Sequence, residues 1–260
     1  IHCSLVGSEM CIRDRPMGDP VTRVNMVSGP RNISTAMMYS FRSRADTTVI
    51  DEPLYAHYLA VTGIDHPGRD VTMATLPVDG GEAIALAMQE CPTPVFMIKN
   101  MAHHIAGVGL DLGWLDEVKS FFLIREPDQV LTSLIKNLPN PTPEMTGLPQ
   151  QAELVEYLAG RGQEPIVMSS RQILEDPEGQ LRYLCERLGI DWDPSMLSWE
   201  AGPKPEDGTW SVHWYARLHQ STGFEPYRPK DDVVPDRLHG VLSECERAFQ
   251  LLSSYLVVST

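Results

Sequence analysis

Arg31 and Arg125 each follow a short apolar run and precede a stretch with helical spacing. They stand in the segments Gly29-Pro30-Arg31-Asn32-Ile33-Ser34-Thr35 and Arg125-Glu126-Pro127-Asp128, with Ser133 two helical turns beyond the second arginine. A glycine turn that opens a helix presents backbone N–H groups to an anion, and Arg31, Ser34 and Thr35 can add side-chain donors. An arginine at a strand end with a serine farther along the next helix can grip a second, distinct phosphate. The plain alternatives are a turn capped by Ser or Asn in the first segment and a surface pair between Arg125 and Asp128 in the second. The first loop is not a Walker A loop, because Ser34-Thr35-Ala36 carries neither the Gly nor the Lys of that motif, and ATP or GTP hydrolysis is disfavoured.

Two other strand ends carry groups suited to moving protons. Asp51-Glu52-Pro53 ends the second apolar run, and a carboxylate facing an anion site is out of place unless it pairs with a cation or accepts a proton, which makes Glu52 a candidate general base. Asp51 reads better as an N-cap and first-turn acid of the following helix. The third run ends in Lys99-Asn100-Met101-Ala102-His103-His104. Lys99 can neutralise charge on a bridging oxygen, and either imidazole can take a proton near neutral pH. Adjacent histidines point in different directions, so at most one of His103 and His104 is expected in a site. Their spacing is not that of a helical zinc pair, and no metal is predicted.

These residues need a scaffold that brings strand ends to one rim. Apolar runs at 21–27, 47–50, 94–98, 120–124 and 165–168 alternate with helical patterns at 33–44, 54–61, 82–90, 128–136, 151–159, 177–188 and 235–255. That alternation predicts an α/β fold with a mainly parallel sheet, in which ligands bind outside the carboxyl ends of the strands. The helix at 177–188 has Asp176 as its expected N-cap and Pro177 at its first position. Segments 63–81 and 138–150 are expected to be mobile loops on the acceptor side of a site. Trp210, Trp214, Tyr215 and Phe224 read as core more readily than as an aromatic lid.

The chain has 260 residues, of which 42% are hydrophobic and 22% charged, an ordinary globular composition. Its formal net charge of −14 repels a phosphate backbone, so nucleic-acid binding is not expected and any bound anion must be held by local geometry. No apolar run approaches membrane-spanning length, and five cysteines without CxxC spacing suggest neither a disulfide framework nor a zinc knuckle, so a cytoplasmic setting is expected. Residues 1–16 lack an initiator methionine and the layout of a signal peptide, and they read as a non-native or disordered leader to a single domain over 17–260.

The two arginine segments together resemble the signatures of sulfotransferases that use 3′-phosphoadenosine-5′-phosphosulfate (PAPS). The resemblance implies a three-layer α/β sandwich around a mainly parallel sheet, P-loop NTPase-like, with PAPS as donor and PAP as product. It assigns Gly29, Pro30, Arg31, Asn32, Ile33, Ser34 and Thr35 to the 5′-phosphosulfate, and Arg125 and Ser133 to the 3′-phosphate. Lys204-Pro205-Glu206-Asp207-Gly208-Thr209-Trp210 is similar to a third stretch of the family, with Lys204 as a further cofactor contact, although Pro205 stands where the family has Gly. The residues from 172 to 189 are similar to the family's strand and helix before that stretch, so the resemblance runs from about Val21 to Trp210. The Pro-Arg-Asn-Ile-Ser-Thr wording followed by Asp51-Glu52-Pro53-Leu54-Tyr55 is most similar to a bacterial-type branch. A plant relative of that branch joins such a domain to an aminotransferase-like one. What this implies is an enzyme that sulfates a hydroxyl or amine on a small-molecule or glycan acceptor. Arg31, assisted by Lys99, would stabilise the leaving charge, and Glu52, His103 or His104 would act as base. A P-loop kinase-like nucleotide-binding protein of the same fold is the alternative, and a non-catalytic PAP-binding protein a third.

Overall fold

The five apolar runs form five strands: β1 (Thr22–Ser28), β2 (Thr47–Asp51), β3 (Val95–Met101), β4 (Lys119–Ile124) and β5 (Ile166–Ser169). In this computed structural model, which describes residues 20–229 and 231–256, they make one sheet of order β2-β3-β1-β4-β5 with every neighbouring pair parallel. The leader expected at 1–16 lies outside the described residues. Ten α-helices accompany the sheet among the described residues. The first five are α1 (Ser34–Arg42), α2 (Tyr55–Thr62), α3 (Arg69–Thr75), α4 (Gly80–Ala87) and α5 (Pro127–Leu134). The rest are α6 (Leu148–Gly160), α7 (Ser170–Glu175), α8 (Pro177–Leu188), α9 (Ser211–Trp214) and α10 (His239–Ser253).

A parallel sheet is covered on both faces, which is why its strands read as unbroken apolar runs. Val24 and Met26 of β1, with Phe121 and Leu123 of β4, pack with Met37 and Phe41 of α1 and Leu181 and Leu184 of α8. Their neighbours Val27, Phe122 and Ile124 point the other way, onto Val155 and Leu158 of α6, Ala83 of α4 and Leu252 of α10. The result is a three-layer α/β sandwich with a core on each side of the sheet. One polar row crosses it: Asn100 donates to Asn25 at 2.9 Å and Asn25 donates to Ser120 at 3.2 Å, so hydrogen bonds link three buried polar side chains of β3, β1 and β4.

Sequence spacing finds every strand, and Asp176 caps α8 as expected, accepting from the Gly179 N–H at 3.0 Å. The segments expected as loops are more structured. Residues 63–81 contain α3 and the start of α4, whose cap Asp79 accepts from the Glu82 N–H at 3.0 Å. Residues 138–150 hold a 3-10 turn (Glu144–Thr146) and the first turn of α6. A helix as short as α3, opened by Gly68 in the left-handed region, shows too little periodicity to be read from spacing.

Candidate active site

Because β1 is the central strand, the loops after β1 and β4 emerge side by side. The Arg31 Nε donates to the Ser133 Oγ at 2.8 Å, and the Arg125 guanidinium donates to the Arg31 carbonyl oxygen. The two segments expected as separate anion grips therefore meet as one continuous basic rim. Burial and the nearby Arg31 charge pull the Arg125 pKa below its ordinary value, as expected of two guanidinium groups in one pocket.

The first loop is held from behind. Asn32 donates to the Leu123 carbonyl at 2.8 Å and accepts from the Ile33 N–H at 3.0 Å, tying the turn to β4. The Gln151 amide, oriented to satisfy both its ends, accepts from the Gly29 N–H at 3.2 Å and donates to Leu123 at 3.1 Å. A Cβ on Gly29 would stand 2.2 Å from the Thr146 carbonyl oxygen, so only glycine fits there. The N-cap position of α1 is Ile33, with no side-chain hydrogen bond, so the Ser or Asn cap weighed as the plain reading is not formed. The first-turn N–H groups, with Ser34 and Thr35 beside them, are therefore left without a side-chain cap, an arrangement that can accept an anion.

Among the described residues only Arg31 and Glu52 adopt positive φ without being glycine, at 59° and 45°. Both follow strands at the same rim, and backbone strain of about 1–3 kcal/mol at such positions concentrates at functional sites. The Glu52 N–H donates to the Lys99 carbonyl at 2.8 Å, extending the β2–β3 ladder one residue, while its carboxylate meets the Lys99 ammonium.

The acid groups form a buried cluster. The Lys99 ammonium, 1% exposed, donates to Asp51 Oδ1 at 2.8 Å, to the Tyr215 hydroxyl at 2.9 Å and to Glu52 Oε1. Tyr215 donates to Asp51 Oδ2 at 2.8 Å and accepts from the Trp210 indole at 3.2 Å, while the Gly208 N–H also reaches Asp51 Oδ2 at 3.2 Å. All three protons of Lys99 are thus engaged inside the protein, which leaves none for the bridging oxygen it was expected to meet. Nor is Asp51 a helix cap: the cap position of α2 is Leu54, and Asp51 is a buried ion-pair partner. Burial and the Asp51 charge raise the Glu52 pKa to about 7 against the opposing pull of Lys99. Burial acts to lower Lys99, but Asp51 and Glu52 outweigh it and hold the ammonium charged well above its ordinary range.

His104 Nδ1 lies 3.8 Å from Glu52 Oε2, and its ring stacks on Tyr55 with centroids 4.6 Å apart. His103 packs edge-on against both Tyr58 and His104. Both imidazoles belong to one aromatic group, yet only His104 faces the carboxylate. Burial depresses both, His103 to about 3 with His66 adding to the effect, so both are neutral and weak bases at pH 7. Tyr55 shares a 2.8 Å hydrogen bond with His66, whose segment 65–71 lines an open depression of about 500 Å³.

Lys204 contacts Asp207 and the Tyr39 ring of α1. Its N–H donates to Asp207 at 2.8 Å and its ammonium lies 5.9 Å over the Tyr39 ring. Trp210 and Tyr215 are buried as core, Phe224 packs at its edge, and Trp214 is exposed. Sequence reading missed that Tyr215 and Gly208 complete the Asp51 environment. The one available signal was Trp210-x-x-x-x-Tyr215 close after the glycine, and no spacing rule links it to a residue 164 positions earlier.

A family model described as a sulfotransferase domain matches residues 22–244. Branched-chain-amino-acid aminotransferase-like proteins 2 and 1 of Arabidopsis thaliana are 35% and 34% identical to this chain over 232 and 229 residues, which is 88% of it. The chain spans about two fifths of the length of these curated relatives, 41% in each case. Among solved structures, a sulfotransferase from Alicyclobacillus acidocaldarius superposes with a TM-score of 0.51 at 11% identity, over 92% of this chain and 98% of that one. A mouse sulfotransferase complexed with PAP gives 0.50 at 12% identity, over 92% and 86%. At such identities the likeness is one of fold, and that fold is the P-loop NTPase-like α/β sandwich.

Proposed function

The chain belongs to the sulfotransferase domain family, and from that premise we propose that it moves a sulfuryl group from PAPS to a hydroxyl or amine of a small-molecule or glycan acceptor, releasing PAP. The observation that supports this reading is the contact between Arg31 and Ser133, which joins the two segments proposed to bind anions into one rim. Arg31, Asn32, Ser34, Thr35 and the α1 N-terminus would hold the 5′-phosphosulfate, and Arg125 with Ser133 the 3′-phosphate.

In the proposed reaction the acceptor oxygen or nitrogen attacks sulfur, the bond from sulfur to the phosphate oxygen breaks with its electron pair going to PAP, and the acceptor proton goes to Glu52. Catalysis of this kind consists mainly of in-line placement and stabilisation of the negative charge reaching the leaving phosphate. Arg31 supplies that stabilisation electrostatically, since its guanidinium does not give up a proton. Glu52 is favoured over His103 and His104 as base, because its proton affinity lies near neutral pH while burial leaves the imidazoles weak. The acceptor would enter from the 65–71 side, past His66 and Tyr55.

Thermal unfolding with a nucleotide panel tests the donor. PAP at about 100 times its Kd should add ~2.7 kcal/mol of stability, which is several degrees in Tm for a domain of this size. A shift with ATP and magnesium but none with PAP would reject the proposal in favour of a kinase-like protein. Stabilisation by PAP with no transfer of labelled sulfate to a broad hydroxyl and amine panel would favour a non-catalytic PAP-binding protein.

A further inference from the structure

The buried cluster sets two carboxylates against one ammonium, and the two are not treated alike. Asp51 takes Lys99 on Oδ1, and the Tyr215 hydroxyl and the Gly208 N–H on Oδ2. Glu52 takes Lys99 on Oε1, while Oε2 faces His104 Nδ1 at 3.8 Å, beyond hydrogen-bonding distance. The titratable groups facing Glu52 are Lys99 of β3, Asp51 of β2, Tyr55 of α2, Tyr215 after α9, and His104, behind which lie His103 and His66. Lys99 alone among them is positive at neutral pH, because burial keeps the imidazoles uncharged.

With both carboxylates ionised the cluster would bury one uncompensated negative charge, which a low-dielectric interior penalises. Three donors keep a carboxylate charged, whereas a carboxylate with a single donor is the better place for a proton. We propose that Asp51 is a positioning residue for Glu52: by remaining the charged partner of Lys99, it leaves the exchangeable proton to Glu52 Oε2, the oxygen turned toward His104. The inference rests on the reading of Glu52 as the group that accepts the acceptor's proton. Were Asp51 neutral, Lys99 and Glu52 would form a one-to-one ion pair, and a carboxylate held in that way is a poor base.

The deciding titration requires no turnover. The side-chain carboxyl carbons of the full chain are followed by ¹³C NMR from about pH 5 to about pH 9, with aspartate and glutamate labelled in separate samples. One glutamate signal, missing in Glu52→Gln, should titrate near neutrality, and no buried aspartate signal should move in that range. A glutamate that stays flat, a titrating glutamate that persists in Glu52→Gln, or a buried aspartate titrating there would overturn the proposal. In Asp51→Asn the Glu52 midpoint should fall by at least about one pH unit, and the acidic limb of kcat/KM should move with it. An unmoved midpoint would overturn it as well, and should that variant fail to fold, the wild-type titration still decides. Failure of PAP binding or sulfate transfer would reject the donor assignment without altering these titrations, so the two readings fail separately.

Discussion

Arg31 and Ser133 are joined by a 2.8 Å hydrogen bond across 102 positions of sequence. The bond places a guanidinium from the loop after β1 against the last turn of α5, and the Arg125 guanidinium closes the arrangement by binding the Arg31 carbonyl. Positive charge is thereby concentrated on one rim of a chain whose net charge is −14. The proposed anion recognition would be a property of that rim and not of the overall field.

Replacing Arg125 by alanine removes one of the two guanidinium groups and frees the Arg31 carbonyl. PAP binding should weaken by about 1.5–3 kcal/mol, roughly a ten- to hundredfold rise in Kd by titration calorimetry. The unfolding midpoint should change little. An unchanged Kd would remove the 3′-phosphate assignment from the second segment.

Gly29→Ala drives a methyl group into the Thr146 carbonyl, where two backbones meet and neither is free to retreat. Overpacking of this kind costs about 1–3 kcal/mol, read as a lower urea midpoint, and shifting the turn should also weaken PAP binding. Gly160→Ala, where a Cβ meets nothing within 4 Å, is the control and should stay within about 0.5 kcal/mol of wild type. Equal effects at both positions would show that the close approach does not constrain the loop.

Acid sensitivity should come from the histidine pair. Burial holds the folded-state pKa of His103 at about 3, below its ordinary 6.5, and depresses His104 in the same direction. Below pH 6.5 the unfolded chain therefore binds more protons than the folded one, so this contribution is fully present above that pH and is lost as the pH falls toward 3. Glu52, raised from 4.5 to about 7, acts oppositely: its contribution is complete below 4.5 and is lost as the pH rises through 7. Urea unfolding of His103→Gln at pH 7 and pH 5 should show a smaller loss on acidification than wild type. A loss of equal size would place the acid-labile group elsewhere.

The strands and the two arginine segments were legible in the sequence because each is a local pattern, a short apolar run followed within a few residues by donors or acids. The meaning of Lys99 was not. As a strand-end cation it looks available to a ligand, but its surroundings are completed by Tyr215, far along the chain, and by Asp51, whose position before a helix pattern suggests a cap. Glu52 and His104 were found as chemistry but not as a pair, because their proximity depends on the β2–β3 register that sets Asp51 beside Lys99. The segment 63–81 was misread for a different reason: a short helix after a left-handed glycine leaves almost no periodic trace.

The Asp51 carboxylate is closed over by Gly208 and Tyr215, which follow β5 and α8 in the chain. During synthesis on the ribosome, Asp51, Glu52 and Lys99 all emerge well before those two residues, so the charged trio stays wet until Gly208 and Tyr215 have been made. The buried charge cluster is consequently completed only once Tyr215 has been made and has packed against Asp51.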